Sequence, residues 1–156
     1  KEQALLQNIA TGCTMVFNYT AVKYYVDFRP SFIKVHDYLM YLICVYLGNF
    51  IYDPEPHINY RQHSNNQIGS KNILDRFKRR INKFGQSDGY YEKQSKDFLE
   101  SYKSMLSIED TLRISYLCNY KINFASKLSL LFNRKYKYDN FEFNFFLSLK
   151  ILFGKL

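Results

Sequence analysis

The stretch HDYLMYLICVYLG, residues 36–48, is the most apolar part of the chain, and it decides how the first half is expected to fold. Asp37 precedes a run of uncharged residues, and Gly48 follows that run. An acidic residue at the start and a glycine just past the end are typical boundaries of an α-helix. Because almost every residue between them is apolar, we expect this helix to be buried on all sides.

Two roles fit Asp37 at the start of this helix. Its carboxylate can cap the helix by accepting backbone N–H groups, an arrangement that the helix dipole also favours. It can also act as a general base at the edge of a cleft, within reach of a substrate hydroxyl. The cap is the simpler interpretation, and the two roles are compatible, although a capping hydrogen bond lowers the basicity of the carboxylate.

The segments on either side of this helix have the short apolar runs of β-strands. CTMVF, residues 13–17, follows the turn-prone pair Thr11–Gly12 and predicts a buried strand. A short helix is expected near residues 19–26, and two short strands are expected near 50–52 and 57–62. The strand–helix–strand order of the first 63 residues predicts an α/β fold.

After Gly69 the sequence changes to helical periodicity with charged faces. Helices are predicted near residues 71–83, 89–105, 108–119, 122–133 and 140–153. The last of these, NFEFNFFLSLKILF, also fits the strict alternation of a strand, but we favour helix. The chain is therefore divided into an α/β part, residues 1–70, and a helix-rich basic extension, residues 71–156.

The composition indicates one ordinary domain with an uneven charge distribution. The chain has 156 residues, 47% of them hydrophobic, and a net charge of +8. The whole positive excess lies after residue 70, and residues 121–156 alone carry seven Lys or Arg against two Asp or Glu. A basic half of this kind suits nucleic acid, an anionic membrane surface or a phosphorylated substrate. The simpler alternative is a solvated helical surface.

The cysteines argue against a disulfide-rich or zinc-binding protein, and the longest apolar run argues against a transmembrane helix. Cys13, Cys44 and Cys118 are odd in number and widely spaced, which argues against a disulfide framework or a zinc knuckle and favours buried free thiols in a reducing compartment. The run from Tyr38 to Leu47 is about half the length that a transmembrane helix needs. The chain begins at Lys1 without an initiator Met, and we expect it to be part of a longer protein.

A polar stretch, INYRQHSNN at residues 58–66, follows the second predicted strand. In an extended strand alternate residues share a face, so one face would be entirely polar: His57, Asn59, Arg61 and His63. Arginine binds phosphate oxygens with a forked donor pair, and neutral histidine ligates metals. The pattern therefore fits a wall for an anionic ligand, although a solvent-facing strand that ends in a turn explains it equally simply.

The stretch NIATGCTMVFN, residues 8–18, places a glycine before a predicted strand. Such a glycine usually marks a turn or a close backbone approach, and a structural role is the default interpretation. No phosphate-binding glycine loop of known spacing occurs anywhere in the chain.

Taken in order, three stretches resemble the second half of family 2 glycosyltransferases, especially the bacterial rhamnosyltransferase-like enzymes of surface polysaccharide synthesis. They are N-x-x-T-G-C-T, then H-D before an apolar helix, then Y-R-Q-H-x-x-N followed by Ile-Gly. The ordered combination is more specific than any one motif, and it covers roughly residues 3–70. The resemblance implies the second half of a GT-A type α/β fold, which uses a nucleotide-diphosphate sugar and a divalent cation, Mg or Mn.

The resemblance also implies roles for individual residues. Asp37 corresponds to the base that removes the acceptor proton, and His63 to a ligand of the donor's metal. Arg61 and Gln62 would lie beside the diphosphate, and Asn66 would order the loop. The turn Thr11–Gly12–Cys13 would lie under the donor sugar and acceptor, and His36 belongs to the same donor- and acceptor-binding group.

The resemblance implies transfer of a sugar, with inversion, to a hydroxyl of a growing glycan or lipid-linked acceptor. Rhamnose is the sugar that the rhamnosyltransferase-like enzymes suggest. The nucleotide-binding half of the family, with its Asp-rich metal motif, is expected before Lys1, so this chain alone is expected to be inactive. The expected location is the cytoplasm, with the basic extension on the inner face of the membrane.

The rival hypothesis is a non-catalytic basic module that binds a membrane, a nucleic acid or a protein. We expect no nucleic-acid partner, because acids interrupt the positive charge in residues 88–100 and no reader motif is present.

Overall fold

The computed structural model describes residues 1–32, 35–59, 82 and 89–156. Over these ranges the protein is all-α. Six α-helices are defined: α1 (Tyr19–Asp27), α2 (His36–Leu47), α3 (Tyr90–Tyr102), α4 (Ile108–Asn119), α5 (Phe124–Phe132) and α6 (Phe141–Leu152). Three short 3₁₀ turns accompany them, at Glu2–Leu5, Gly12–Thr14 and Arg134–Tyr136.

The prediction of an α/β fold is wrong for the described residues. Residues 13–17 do not form a strand, because Gly12–Thr14 is a 3₁₀ turn and the extended backbone after it leaves Val16 98% exposed. Residues 50–52 and 57–59 are irregular, and Ile51 is 97% exposed. A strand is stable only when its backbone groups pair with a neighbouring strand, and none of the described segments supplies that pairing.

The helices were predicted more successfully. The helices expected near residues 19–26, 89–105, 108–119, 122–133 and 140–153 are confirmed as α1, α3, α4, α5 and α6. The helix expected near 71–83 and the boundary at residue 70 lie outside the described residues. None of the helices in the described ranges is both long and apolar enough to cross a bilayer.

Asn and Ser side chains start four of these helices. Asn18, Asn123 and Asn140 each accept a hydrogen bond from the backbone N–H three residues later, at 2.9–3.0 Å. Ser107 does the same for the N–H of Asp110 at the start of α4. Such caps satisfy backbone donors that the helix itself leaves without acceptors, and each typically contributes about 1 kcal/mol.

The core is one hydrophobic cluster that includes residues from both sides of position 70. Helix α2 contributes seven of its twelve residues to the buried set. Tyr41, Cys44 and Leu47 are half-buried, so the expected burial on all sides is confirmed only in part. Helices α3, α4, α5 and α6 pack against one another in chain order, and α1 packs on α2. The ring of Tyr46 in α2 lies 5.7 Å from that of Phe98 in α3, which joins the two halves of the chain.

Ion pairs between side chains hold the first residues of the chain on this core. Arg113 Nε lies 2.9 Å from Glu2 Oε1, and Arg113 Nη1 lies 2.7 Å from Asp110 Oδ1. The Asp110 carboxylate is nearly buried and also pairs with Lys1 Nζ at 2.7 Å. Burial alone would raise the pKa of Asp110, but hydrogen bonds from Lys1, Arg113 and Ser107 outweigh it and hold that pKa below its ordinary value.

We predict that Leu117→Ala destabilises the protein by about 2–5 kcal/mol, because Leu117 of α4 is fully buried and its removal leaves a cavity. Leu112→Ala in the same helix is the matched control. Its side chain is exposed, so the same deletion should cost less than about 1 kcal/mol. Urea unfolding of both variants measures the difference. Equal losses would show that Leu117 is not in the core.

We also predict that Asp110→Asn lowers stability at neutral pH and that this loss shrinks as the solution is acidified. A carboxyl whose folded pKa is depressed stabilises the folded state above its unfolded pKa, about 4, and loses that contribution as the pH falls through the folded pKa. Urea unfolding at a series of pH values tests this. Asp27→Asn, at an exposed carboxylate, should change stability little at any pH. A loss for Asp110→Asn that stays constant with pH would contradict the assignment.

Candidate functional site

The candidate site begins with the segment that leaves the core after Leu6. The side-chain amide of Asn8 makes two hydrogen bonds that fix this segment. Its Oδ1 accepts the N–H of Ala10 at 3.0 Å, while its Nδ2 donates to Asp37 Oδ1 at 3.0 Å. The 3₁₀ turn follows, closed by two bonds to the Thr11 carbonyl, from the N–H and from the hydroxyl of Thr14, both at 2.8 Å. The backbone N–H of Gly12 is thereby presented to α2.

Asp37 lies in the first turn of α2 and receives this N–H. Its Oδ2 accepts the N–H of Gly12 at 3.2 Å, so both carboxylate oxygens are held by the segment 8–12. The predicted capping role is wrong: Val35 occupies the N-cap position and no side chain caps the helix. The carboxylate still benefits from the positive end of the helix dipole. The Asp37 carboxylate accepts its hydrogen bonds from Asn8 and Gly12 and not from the backbone of its own helix.

Gly12 permits a close approach between the turn and the start of α2. A Cβ built on Gly12 would lie 3.4 Å from His36 Nε2 and 3.5 Å from Asp37 Cβ. Thr11, Cys13 and His36 are exposed around this contact. The structure therefore brings together five of the predicted site residues: Thr11, Gly12, Cys13, His36 and Asp37.

The arrangement can accept a proton. An ionised carboxylate offers about four lone-pair positions, and Asn8 and Gly12 occupy one on each oxygen. The remaining positions are available to a hydroxyl, because Asp37 is only half-buried. A carboxylate held at two points and open at others is suitable for general-base chemistry.

The other predicted residues are not brought to this site by the described part of the chain. Arg61, Gln62, His63 and Asn66 lie outside the described residues, so their roles stay predictions. His57 is described, and it pairs with Asp53 at 3.0 Å in an exposed loop instead of belonging to a polar strand face. The backbone N–H of Glu55 and the His57 side chain lower the pKa of Asp53. The strand predicted at 57–62 is therefore wrong as far as residue 59.

The described residues do not form a metal site. No group of three or more His, Cys, Asp or Glu side chains converges within the described ranges. Mg²⁺ prefers six oxygen ligands, and the pair His57–Asp53 cannot supply them. The predicted ligand His63 lies outside the described ranges, so the divalent cation stays a prediction.

The three cysteines are free, as expected, but only one is buried. Cys118 lies in the core, where burial raises the pKa of its thiol to about 12. Cys44 is half-buried and Cys13 is exposed, which the prediction of buried thiols did not include.

Sequence reasoning missed two features of the chain at residues 7 and 8. One is the positioning role of Asn8, although this residue opens the quoted N-x-x-T-G-C-T motif. The other is an open cavity of about 410 Å³ lined by Gln7, Tyr138, Asp139, Asn140 and Phe143. Gln7 precedes Asn8 in the chain, so the cavity wall continues into the segment that holds Asp37. No local signal reveals the cavity, because its walls come from segments more than 130 residues apart.

Comparisons with protein-family models, with curated proteins and with solved structures gave no match to this chain.

The geometry predicts that Asp37→Ala exposes the Gly12 amide to solvent exchange. A backbone N–H that donates to a carboxylate is protected, and losing an acceptor of this strength should raise the exchange rate about tenfold or more. Hydrogen exchange followed by NMR resolves the Gly12 amide. Asp53→Ala, at an exposed carboxylate of another loop, should leave it unchanged. An unaltered Gly12 rate in Asp37→Ala would show that the bond between the turn and α2 does not form in solution.

Proposed function

We propose that the chain is the acceptor-side part of a glycosyltransferase in which Asp37 is the general base. The observation that carries the proposal is the hydrogen bond between the N–H of Gly12 and the carboxylate of Asp37. It joins two of the three motifs on which the resemblance rests, although 25 residues separate them. The proposal depends on these residues and not on the α/β fold that the resemblance implied.

The proposed reaction is a direct displacement at the anomeric carbon of the donor sugar. The acceptor hydroxyl oxygen forms the new C–O bond, the bond to the nucleoside diphosphate breaks, and that leaving group departs with the electron pair. The proton of the acceptor hydroxyl passes to a carboxylate oxygen of Asp37. General-base assistance of this kind typically contributes 10²–10⁴-fold to the rate, and displacement from one side inverts the anomeric centre.

Asn8 and Gly12 act as positioning groups in this proposal. By donating to one oxygen each, they fix the plane of the carboxylate and leave its outer lone pairs toward solvent. A fixed base loses less freedom when it meets the hydroxyl, which lowers the barrier to the reaction.

The cavity beside Gln7 is the proposed place for the acceptor. Tyr138 and Phe143 supply aromatic rings, with their centroids 4.6 Å apart. The side chain of Asn144 makes two hydrogen bonds to the backbone of Tyr138, one to its N–H and one to its carbonyl. Gln7, Asp139 and Asn140 supply polar groups at the same cavity. A largely polar cavity with two aromatic side chains in its wall suits a sugar, which has apolar C–H faces and a rim of hydroxyls.

The donor side of the proposal rests on the resemblance alone. Arg61 and Gln62 are proposed beside the diphosphate, His63 as a ligand of the divalent cation, and Asn66 in the supporting loop. Thr11, Cys13 and His36, which surround the carboxylate, are proposed to border the donor sugar and acceptor. The proposed compartment is the cytoplasm, in agreement with three free thiols.

We predict that Asp37→Asn lowers kcat for sugar transfer by 10²–10⁴-fold while the KM for the donor changes little, because the variant keeps the size of the side chain but cannot take the proton. The measurement uses the complete gene product, with any sequence that precedes Lys1, and a panel of labelled nucleotide-diphosphate sugars. Wild-type turnover by Asp37→Asn would remove Asp37 from the mechanism.

Two controls separate loss of chemistry from loss of structure. Asp53→Asn changes an exposed carboxylate that is bonded to His57 and Glu55, and it should keep wild-type kcat. Asn8→Ala removes one positioning bond and should lower kcat less than Asp37→Asn does. An equal loss in Asn8→Ala and Asp37→Asn, with donor KM raised in both, would indicate a structural effect instead of a lost base.

A further inference from the structure

Helix α5 has an apolar stripe on its exposed side. Phe124, Leu128 and Phe132 follow one another at intervals of four residues and therefore share one face of the helix. Phe124 is 74% exposed and Phe132 is 75% exposed. The opposite side of α5 is fixed in the core by Leu130, which is fully buried. The helix thus has apolar residues on both sides, and the core covers only one of them.

Helix α6 repeats this arrangement. Phe141 is 85% exposed, and Phe145 and Leu152 are exposed farther along the helix. Leu147 and Ile151 point into the core from the other side. A helix that is apolar on both faces is either buried on all sides or placed against an apolar medium.

The two stripes form one surface. Helix α5 packs on α6, and Lys127, which lies between Phe124 and Leu128 in sequence, donates from Nζ to the carbonyl of Leu152 at 2.9 Å. This bond brings the middle of the α5 stripe to the end of the α6 stripe. The apolar surface is defined by six exposed residues: Phe124, Leu128, Phe132, Phe141, Phe145 and Leu152.

An excess of positive charge lies in the same part of the chain as this surface. Residues 121–156 carry seven Lys or Arg against two acids, Asp139 and Glu142. Arg134 and Lys135 are exposed in the turn that joins Phe132 of α5 to Phe141 of α6, so two cations lie in the chain between two of the most exposed aromatic rings. The exposed cations therefore lie in the turn that joins the two helices bearing the exposed apolar residues.

We propose that this surface binds the interface of an anionic lipid bilayer. Phenylalanine and leucine side chains enter the boundary between headgroups and acyl chains, and Arg134 and Lys135 meet the lipid phosphates. Lysine stems lie along apolar surface while their charged ends stay with the headgroups. This inference stands apart from the assignment of Asp37, since it uses none of the catalytic residues.

Charge argues against a second copy of the chain as the occupant of this surface, and the apolar area argues against a nucleic acid duplex. A second copy would bring the same net positive helices face to face, which like-charge repulsion opposes. A nucleic acid duplex would satisfy the cations, but its charged backbone offers no apolar layer to cover six large side chains. A bilayer satisfies both requirements at once.

The absence of tryptophan from the chain allows a direct test. Phe141→Trp places a single fluorophore on the surface, and Phe50→Trp places one at an exposed phenylalanine elsewhere. With vesicles containing about 30% phosphatidylserine, the emission of Phe141→Trp should shift to the blue and that of Phe50→Trp should not. Equal shifts at both positions, or no shift at position 141, would overturn the proposal.

Vesicle sedimentation tests the contributions of the apolar side chains and of the cations separately. Phe132→Ser with Phe141→Ser should weaken binding about tenfold or more, whereas Phe50→Ser with Ile51→Ser should not. Arg134→Glu with Lys135→Glu should abolish the preference for anionic over neutral vesicles, because each cation near such a surface changes the affinity about fivefold. Equal binding of the wild-type protein to neutral and anionic vesicles would overturn the proposal. So would a protein that forms dimers through this surface and does not bind vesicles.

Discussion

A tyrosine hydroxyl that is taken into a protein core must keep a hydrogen-bond partner, and this requirement connects the segments of the protein. Tyr38 of α2 donates to the carbonyl of Ala4 at 2.7 Å, and Tyr136 donates to that of Arg113 at 2.8 Å. Tyr102 of α3 likewise reaches the carbonyl of Tyr24 in α1 at 3.1 Å. Burial raises the pKa of each of these phenols, so they remain donors throughout the physiological range. Each bond joins two segments that lie more than 20 residues apart in the chain.

The bond from Tyr38 has the largest consequence for the candidate site. It holds Ala4 against α2, and Leu5 and Leu6 are fully buried beside it. The chain therefore emerges from the core at a fixed point, and Asn8 reaches Asp37 from there. Because Tyr38 and Asp37 are neighbours in α2, the same turn of helix anchors the segment in the core and receives it at the surface. The position of the carboxylate is thus a property of the core as much as of the loop.

The sequence predicted local structure well where the signal was itself local. Asn18, Ser107 and Asn140 are capping residues that act within three positions, and the helices that they begin were all expected. The strands failed because the apolar runs around Val16 and Ile51 resemble strands only in pattern. A strand also needs a partner, and a short-range pattern does not contain that information. The resemblance implied that Gly12 and Asp37 belong to one site, but the hydrogen bond between them was not predicted, since nothing near either residue specifies the other. The cavity beside Gln7 was missed for the same reason.

The cavity and the apolar surface meet at the beginning of α6. Asn140 caps this helix through the N–H of Phe143 and also lines the cavity. Phe141, the next residue, belongs to the surface proposed to enter a bilayer, while Phe143 faces the cavity. Adjacent residues at a helix start point in different directions, so one turn of α6 connects the two features. If Phe141 lies in the lipid interface, the cavity opens within a few residues of it. An acceptor carried on a lipid would then reach the cavity without leaving the membrane surface.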